Sequence, residues 1–325
     1  MPIGLGNIKI FSISELSKDL NINISTLKKY IKEGKLKGQK LGNKYYITED
    51  NLKHFFNQGY EKITKINKNK LIQEIEKTGY PTEIKVGNIL IKDKWEVQYN
   101  RYYIDRDKQE GREIDITAFT NIIESDKCTV GLYLICEVKK SINKPWIIFS
   151  TQKEYIEDGI FLKMRYSNKN IDNLLPIEMA NTIYNIERIG RSYCQSFKSS
   201  NYNTDIFEAL TSVIKASEYL IERNKHPSPL LENLRENILV IEFIDPIVVL
   251  DGLLYEYYLS HKNELELKEI NHIPVSFGYI SPAYKRYDYL VDIVTLDELP
   301  NLLIKKRKWL EDIKCSIYKK IDKNK

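Results

Sequence analysis

Two acidic residues and a lysine lie near the ends of two strand-like segments in the first half of the chain. Asp115 lies in residues 112–119, and Glu137 and Lys139 lie in residues 132–140. Both segments are rich in β-branched and aromatic residues, which favours strands. Because side chains alternate along a strand, Glu137 and Lys139 are expected on one face. If the two strands pair through a polar turn, Asp115 meets Glu137.

Two carboxylates and an ammonium group at one place suit metal-assisted phosphodiester hydrolysis. Charged groups are costly on strands whose neighbours are apolar, unless they are paired or bound to a metal. Carboxylate oxygens are the ligands that Mg²⁺ prefers, and a lysine beside them can orient or deprotonate a water and offset phosphate charge. The competing interpretation is structural, because a Glu and a Lys two residues apart on an exposed strand are usually a solvated pair.

The pattern resembles the PD-(D/E)XK nuclease superfamily, which has the restriction-endonuclease and archaeal junction-resolvase fold. Asp115 matches the Asp of that motif, and Glu137 and Lys139 match its E-x-K. One departure is Ile114, which stands where the motif has Pro. The resemblance implies a mixed sheet flanked by helices and a nuclease active site at the ends of these strands.

The resemblance extends upstream to residues 78–90, which look like the first core helix of the superfamily. Glu83 falls where that helix often carries a further metal-site Glu. The resemblance therefore implies a catalytic set of Asp115, Glu137, Lys139 and Glu83. The three carboxylates would bind Mg²⁺ or Mn²⁺, and Lys139 would position the attacking water.

The first part of the chain has the pattern of a small helical domain. Ser12 or Ser14 is expected to cap a first helix, and Ser25 a second one, which ends at Gly34. A hairpin around residues 42–43 and a short helix over 48–56 complete the pattern. This arrangement resembles the winged helix-turn-helix of the excisionase and MerR-like families.

In such domains the second helix enters the major groove of DNA and the wing follows the backbone. The DNA contacts that the resemblance implies are Thr26, Lys28, Lys29, Lys32, Lys40 and Lys44. The alternative is that the lysines among them form a solvated face on a module that docks protein.

Length and composition bound the remaining possibilities. The 325 residues suffice for one small and one larger domain, and the net charge of +5 is weak evidence for a nucleic-acid partner. Neither the four Cys nor the four His residues show zinc-ligand spacing. The start of the chain shows no signal peptide, so we expect a cytoplasmic protein with free thiols and no membrane partner.

The expected fold class is α/β, with three segments. Residues 1–58 form the winged domain, 59–70 a lysine-rich linker, and 71–325 a restriction-endonuclease-like domain with a β-rich C-terminal extension. Helices are expected within residues 181–222, and a turn at Asp251 and Gly252 between two strands. The final segment, 296–320, has the pattern of a basic surface helix.

These expectations combine into a metal-dependent nuclease that the N-terminal domain recruits to DNA. The alternative from another class is a non-catalytic DNA-binding regulator or scaffold that keeps the nuclease-like fold. An RNA substrate and a homodimer also stay open.

Overall fold

The chain divides into two compact units, Met1–Lys77 and Thr78–Lys325. The computed structural model describes residues 3–5, 8–64, 67–125, 128–153, 164–171, 174, 187–197, 204–228, 237–284 and 288–323. The architecture is mixed α/β, with a small N-terminal helix-turn-helix region and a large mixed sheet. Within the described ranges, no helix is long and apolar enough to cross a membrane.

The first unit combines a four-stranded sheet, in the order β1-β2-β4-β3, with four helices among its described residues. Its core contains Ile13, Leu16, Leu27, Leu36 and Ile47. The elements are β1 (Ile3–Leu5), β2 (Ile8–Ser12), α1 (Ile13–Asp19), α2 (Ile24–Lys32), β3 (Gln39–Leu41), β4 (Lys44–Thr48), α3 (Glu49–Thr64) and α4 (Lys68–Glu76).

The caps of the first two helices follow local hydrogen bonding. Ser12 caps α1, and it forms a capping box in which the side chain of Glu15 accepts a hydrogen bond from the Ser12 amide. The cap of α2 differs from the prediction: Asn23 stands there, and its side-chain oxygen accepts from the backbone amide of Ser25. Gly34 has a φ of 71°, which a glycine tolerates after a helix end.

The segment between the two predicted domains is largely helical. Helix α3 continues to Thr64, past the predicted end at residue 56, and α4 covers 68–76. Polar residues with little apolar period can still form helix when lysine and glutamate, which have high helix propensity, are frequent. The predicted linker at 59–70 is therefore not an irregular chain over its described residues, and α4 belongs to the first unit.

The second unit is built on a nine-stranded sheet, counted over the described residues. Of the helices expected within residues 181–222, the helix over 204–222 is confirmed, but residues 188–195 form a strand instead, and residues 181–186 and 198–203 lie outside the described residues. The elements are α5 (Tyr80–Lys92), β5 (Glu96–Asp105), β6 (Glu110–Ser125), β7 (Cys128–Gln152), β8 (Met164–Ser167), β9 (Arg188–Gln195), α6 (Thr204–Lys225), β10 (Leu239–Leu259), β11 (Leu265–Ile270), β12 (His272–Gly278), β13 (Asp288–Thr295) and α7 (Leu299–Lys323).

Two long strands organise this sheet. Strand β7 pairs antiparallel with β6 through its first half and with β9 through its second half, and it pairs in parallel with β10 along most of its length. Strand β13 pairs with β10, β12 with β13, and β9 with β12. The pairing therefore closes on itself through these strands, while β5 and β6 extend the sheet beyond β7.

The predicted turn at Asp251 and Gly252 is wrong, because β10 runs through both residues without reversing. The register with β7 shifts between Gly252 and Leu254. A Cβ at Gly252 would lie 2.5 Å from the backbone oxygen of Ser141 on β7. The glycine is therefore explained by a close approach of two backbones, which a sequence pattern cannot distinguish from a hairpin turn.

Helices cover both faces of the sheet. Helices α5 and α7 contribute Val86, Leu90 and Leu310 to the apolar cluster on one face. Helix α6 contributes Leu210 and Val213 to the cluster on the other face. Because the sheet is covered on both sides, its central strands are apolar on both faces.

The predicted surface helix at the C-terminus is instead a core element. Lys306, on α7, is fully buried, and its ammonium donates to Asp245 and to Asp292, each at 2.7 Å. Asp292 is also 2.9 Å from Nε2 of His272. A buried ammonium is tolerated in the core when carboxylates pair with it. The basic composition of this helix was therefore a misleading sign of exposure.

Candidate functional site

The antiparallel pairing of β6 with β7 brings Asp115 to the Glu137 segment. Ile116 pairs with Cys136 in the last register pair of this ladder, so Asp115 lies one residue further on, level with Glu137. The Asp115 carboxylate accepts a hydrogen bond of 2.7 Å from the amide of Val138. The side chains of Glu137 and Lys139 meet at 2.7 Å, which fits their predicted position on one face.

Glu83 approaches the same cluster from the first turn of α5. The neighbouring residue, Thr82, is buried, and its hydroxyl donates a 3.0 Å hydrogen bond to the Asp251 carboxylate. Asp251 lies on β10 opposite Lys140, the residue after Lys139. This hydrogen bond connects the first turn of α5, which also carries Glu83, to the strand beside β7. The sequence pattern did not reveal this contact, because Asp251 was expected in a turn.

The charged side chains of the cluster act on one another: these are Glu83, Asp115, Glu137 and Lys139. Burial raises the pKa of Glu137 to about 7, and the Asp115 and Glu83 charges add to that effect, whereas Lys139 opposes it. Burial also raises the pKa of Asp115, against the Val138 hydrogen bond. The pKa of Glu83 is raised by burial and then by the Asp115 charge.

Lys139 remains a cation in this setting. Burial lowers the pKa of its ammonium, but the carboxylates of Glu137 and Asp115 outweigh burial, so the pKa lies above its ordinary value. One ammonium therefore stands among three partly or fully buried carboxylates, and the cluster carries excess negative charge.

The donor set suits a hard cation, although the side chains do not form a finished metal site. Carboxylate oxygens are the donors that Mg²⁺ and Mn²⁺ take, and a bound cation would offset the Asp115 and Glu83 charges, which add to the effect of burial on the pKa of Glu137. Among the described residues, however, no group of three His, Cys, Asp or Glu side chains stands ready to hold a metal ion. Glu137 is engaged by Lys139, and Asp115 by the Val138 amide.

A second charged network braces the neighbouring hairpin of β5 and β6. The buried ammonium of Lys215, on α6, donates to both carboxylate oxygens of Asp105, at 2.8 and 2.9 Å, and lies 2.8 Å from Asp107. Arg112 also approaches Asp105, at 3.7 Å, which is a longer contact than that of Lys215. The network fixes α6 to the strand pair that carries Asp115.

The predicted DNA contacts form an exposed basic surface on the first unit. Helix α2 presents Lys28, Lys29 and Lys32 to solvent, and Leu27 on its opposite side is buried in the core. The wing exposes Lys40 on β3 and Lys44 on β4. Thr26, on the first turn of α2, is half-buried.

Comparison with known proteins bears on this unit. Residues 10–60 match the family model of a helix-turn-helix domain. The chain thus contains a helix-turn-helix domain, which suggests DNA binding. No curated protein and no solved structure matches the chain. The matched segment ends before Glu83 and the strands of the second unit.

Proposed function

We propose that the chain is a metal-dependent nuclease of the PD-(D/E)XK type, which its helix-turn-helix domain recruits to DNA. The observation that carries this proposal is the meeting of Asp115 with Glu137 and Lys139 inside β6 and β7, where the pairing of these two strands ends. Ionised groups at such buried positions are costly without a compensating role. This combination of carboxylates and a fixed cation suits the hydrolysis of a phosphodiester.

Each residue has a role in this proposal. Asp115, Glu137 and Glu83 would hold Mg²⁺ or Mn²⁺, which when bound polarises the phosphate and activates a water. Lys139, held by Glu137 at 2.7 Å, orients the attacking water and offsets the negative charge that develops on the phosphate. The Val138 amide keeps Asp115 in place beside them.

The restriction-endonuclease-like fold is part of the same proposal. It is supported by the order of elements, in which α5 carries Glu83, and β5, β6 and β7 follow with Asp115 on the second strand and Glu137 on the third. Helices cover both faces of this sheet, as the resemblance implies. The closed pairing through β9, β12 and β13 lies outside the segment that the resemblance covers.

The experiment is incubation of the purified chain with plasmid, linear and branched DNA and with RNA, in Mg²⁺, Mn²⁺ or EDTA. We expect cleavage of DNA with either metal and none in EDTA. The alternative, a DNA-binding regulator or scaffold, predicts shifted but intact DNA under every condition. Cleavage of RNA but not of DNA would support metal-dependent phosphodiester hydrolysis and would identify RNA as the substrate instead of DNA.

A further inference from the structure

A cleft of about 150 Å³ opens between the sheet and α6. Its walls come from β5, β6, β7 and the second half of α6, and we name it the β5–α6 cleft. Ile135 lines it, and Glu137 follows two residues later on the same strand. Two residues of extended strand span about 7 Å, and alternate residues share a face. The cleft therefore lies beside the carboxylate cluster, on the face of β7 that carries Glu137.

Tyr103 connects the cleft to that cluster. Its ring lines the cleft, and the charge of Glu137 acts on its hydroxyl. Burial raises the pKa of Tyr103 to about 12, with a smaller contribution from Glu137 and an opposing one from the hydrogen bond with Ser212. A ligand in the cleft would thus be close to the site proposed for hydrolysis.

Aromatic rings form much of the wall. Phe119 and Tyr133 lie with ring centroids 4.4 Å apart and planes tilted by 33°, and Tyr102 is 69% exposed at the rim. Gly131 leaves the space that Phe119 occupies, because a Cβ there would lie 2.7 Å from the ring. Aromatic side chains of this kind stack on nucleobases, whatever the base sequence.

Polar side chains complete the wall in a way that fits a base with its phosphate. Glu96, Gln98 and Thr117 offer hydrogen-bond donors and acceptors, and Arg101 and Arg223 offer guanidinium groups. Gln98 already accepts a hydrogen bond from Arg101, so these two side chains are held at the cleft. Guanidinium groups suit phosphate recognition and stacking on a ring.

We propose that the β5–α6 cleft binds one pyrimidine base of the nucleic-acid strand, unstacked from its neighbours. A cavity of about 150 Å³ accepts one aromatic ring such as benzene, and a two-ring purine needs more room. Enzymes that take a base out of the stack read it by stacking and by hydrogen bonds to its edge. The proposal rests on the proposed nuclease function for the polymer, but binding of the base needs no chemistry.

The test is fluorescence anisotropy with two labelled single-stranded hexanucleotides, dT₆ and dA₆, and the full chain in EDTA. We expect dT₆ to bind at least about tenfold more tightly than dA₆, which corresponds to about 1.4 kcal/mol. Tyr102→Ala should weaken dT₆ binding about tenfold. Gly131→Ala, which displaces the Phe119 ring, should weaken it similarly, with circular dichroism confirming the fold.

The matched control is Tyr80→Ala, since Tyr80 is 62% exposed on α5 and does not line the cleft. It should leave dT₆ binding unchanged. Equal affinity for the two oligonucleotides, absence of binding, or unchanged dT₆ affinity in the folded Tyr102→Ala protein would overturn the proposal. EDTA removes any metal-dependent step, so this assay measures binding alone. Binding of dT₆ in EDTA, together with no cleavage of DNA when Mg²⁺ is added, would count against the nuclease function but would support the base-binding cleft.

Discussion

The carboxylate of Asp115 accepts a 2.7 Å hydrogen bond from the amide of Val138, the residue between Glu137 and Lys139. Adjacent strands usually hold each other through backbone groups alone. Here a side chain of β6 accepts a hydrogen bond from an amide of β7 at the point where the ladder ends, at Ile116 and Cys136. The hydrogen bond therefore fixes the first carboxylate relative to the second carboxylate and the lysine.

The first prediction separates this structural role from the charge of Asp115. Asp115→Asn keeps an oxygen that can accept from Val138 but loses a negative charge. We expect cleavage to fall by at least about 100-fold, comparable with the loss of one electrostatic stabiliser of a transition state. The melting temperature should change little, and Glu83→Ala should reduce cleavage less. Undiminished cleavage by folded Asp115→Asn would remove Asp115 from the site.

The second prediction concerns the helix-turn-helix surface. Changing Lys28, Lys29 and Lys32 to Glu together should weaken duplex DNA binding by at least about tenfold, since lysines that neutralise phosphates displace counterions. The wild-type affinity should fall steeply with salt, and the variant should show a smaller salt dependence. Gel-shift titrations at several salt concentrations measure both effects.

The control for that experiment lies on α4 and its C-cap residue Lys77, outside the matched residues 10–60. Changing the exposed Lys68, Lys70 and Lys77 to Glu alters the net charge equally. This triple variant should retain most of the affinity. Equal losses in the two triple variants would indicate a general charge effect rather than binding through α2.

The third prediction tests the buried ammonium of α7. Lys306→Met leaves Asp245 and Asp292 without their cation, and breaking a buried ion pair costs about 3–5 kcal/mol. The neighbouring Lys305 is exposed, and Lys305→Met should cost less than about 1 kcal/mol. Trp95, Trp146 and Trp309 all lie in the second unit, so tryptophan fluorescence during urea unfolding reports on it. Similar urea midpoints for Lys306→Met and Lys305→Met would contradict the buried position of Lys306.

The fourth prediction is a pH effect on stability. Burial raises the pKa of Asp107, but hydrogen bonds from Lys215, Ser281 and Tyr279 outweigh burial and bring it to about 2. A lowered pKa stabilises the folded state above the ordinary value of 3.8, and this contribution is lost as the pH falls towards 2. Asp107→Asn should therefore cost about 1–2 kcal/mol at pH 7, after allowance for solvent screening.

The difference in the free energy of unfolding between the wild type and Asp107→Asn should become smaller as the pH falls from 4 to 3. Urea unfolding at several pH values measures it, and Asp312→Asn, a change at an exposed position of α7, serves as the control. A constant difference across this range would mean that the Asp107 charge does not stabilise the fold.

The sequence predicted the elements whose signals are local. Alternation along β7 correctly placed Glu137 and Lys139 together, and the apolar and turn residues of the winged domain gave α2 and the wing. The pairing of β6 with β7 also followed from the sequence, because the two strands are consecutive and joined closely.

The errors arose where a distant contact decides the structure. Gly252 serves a close approach to Ser141, which lies far away in the chain, and this need looks like a turn signal in the sequence. Lys306 is buried because Asp245 and Asp292 lie opposite it, and no local pattern reveals those partners. The bond between Thr82 and Asp251 is equally non-local.

The most direct test of the nuclease compares Lys139→Met with Lys140→Met on the best-cleaved DNA substrate, in Mg²⁺ and in EDTA. The two lysines are adjacent on β7, but Lys139 contacts Glu137 and Lys140 is exposed. We predict that Lys139→Met abolishes Mg²⁺-dependent cleavage, that Lys140→Met retains it, and that EDTA stops every protein. Cleavage by folded Lys139→Met at the wild-type rate, or no metal-dependent cleavage by the wild type, would contradict the proposed function.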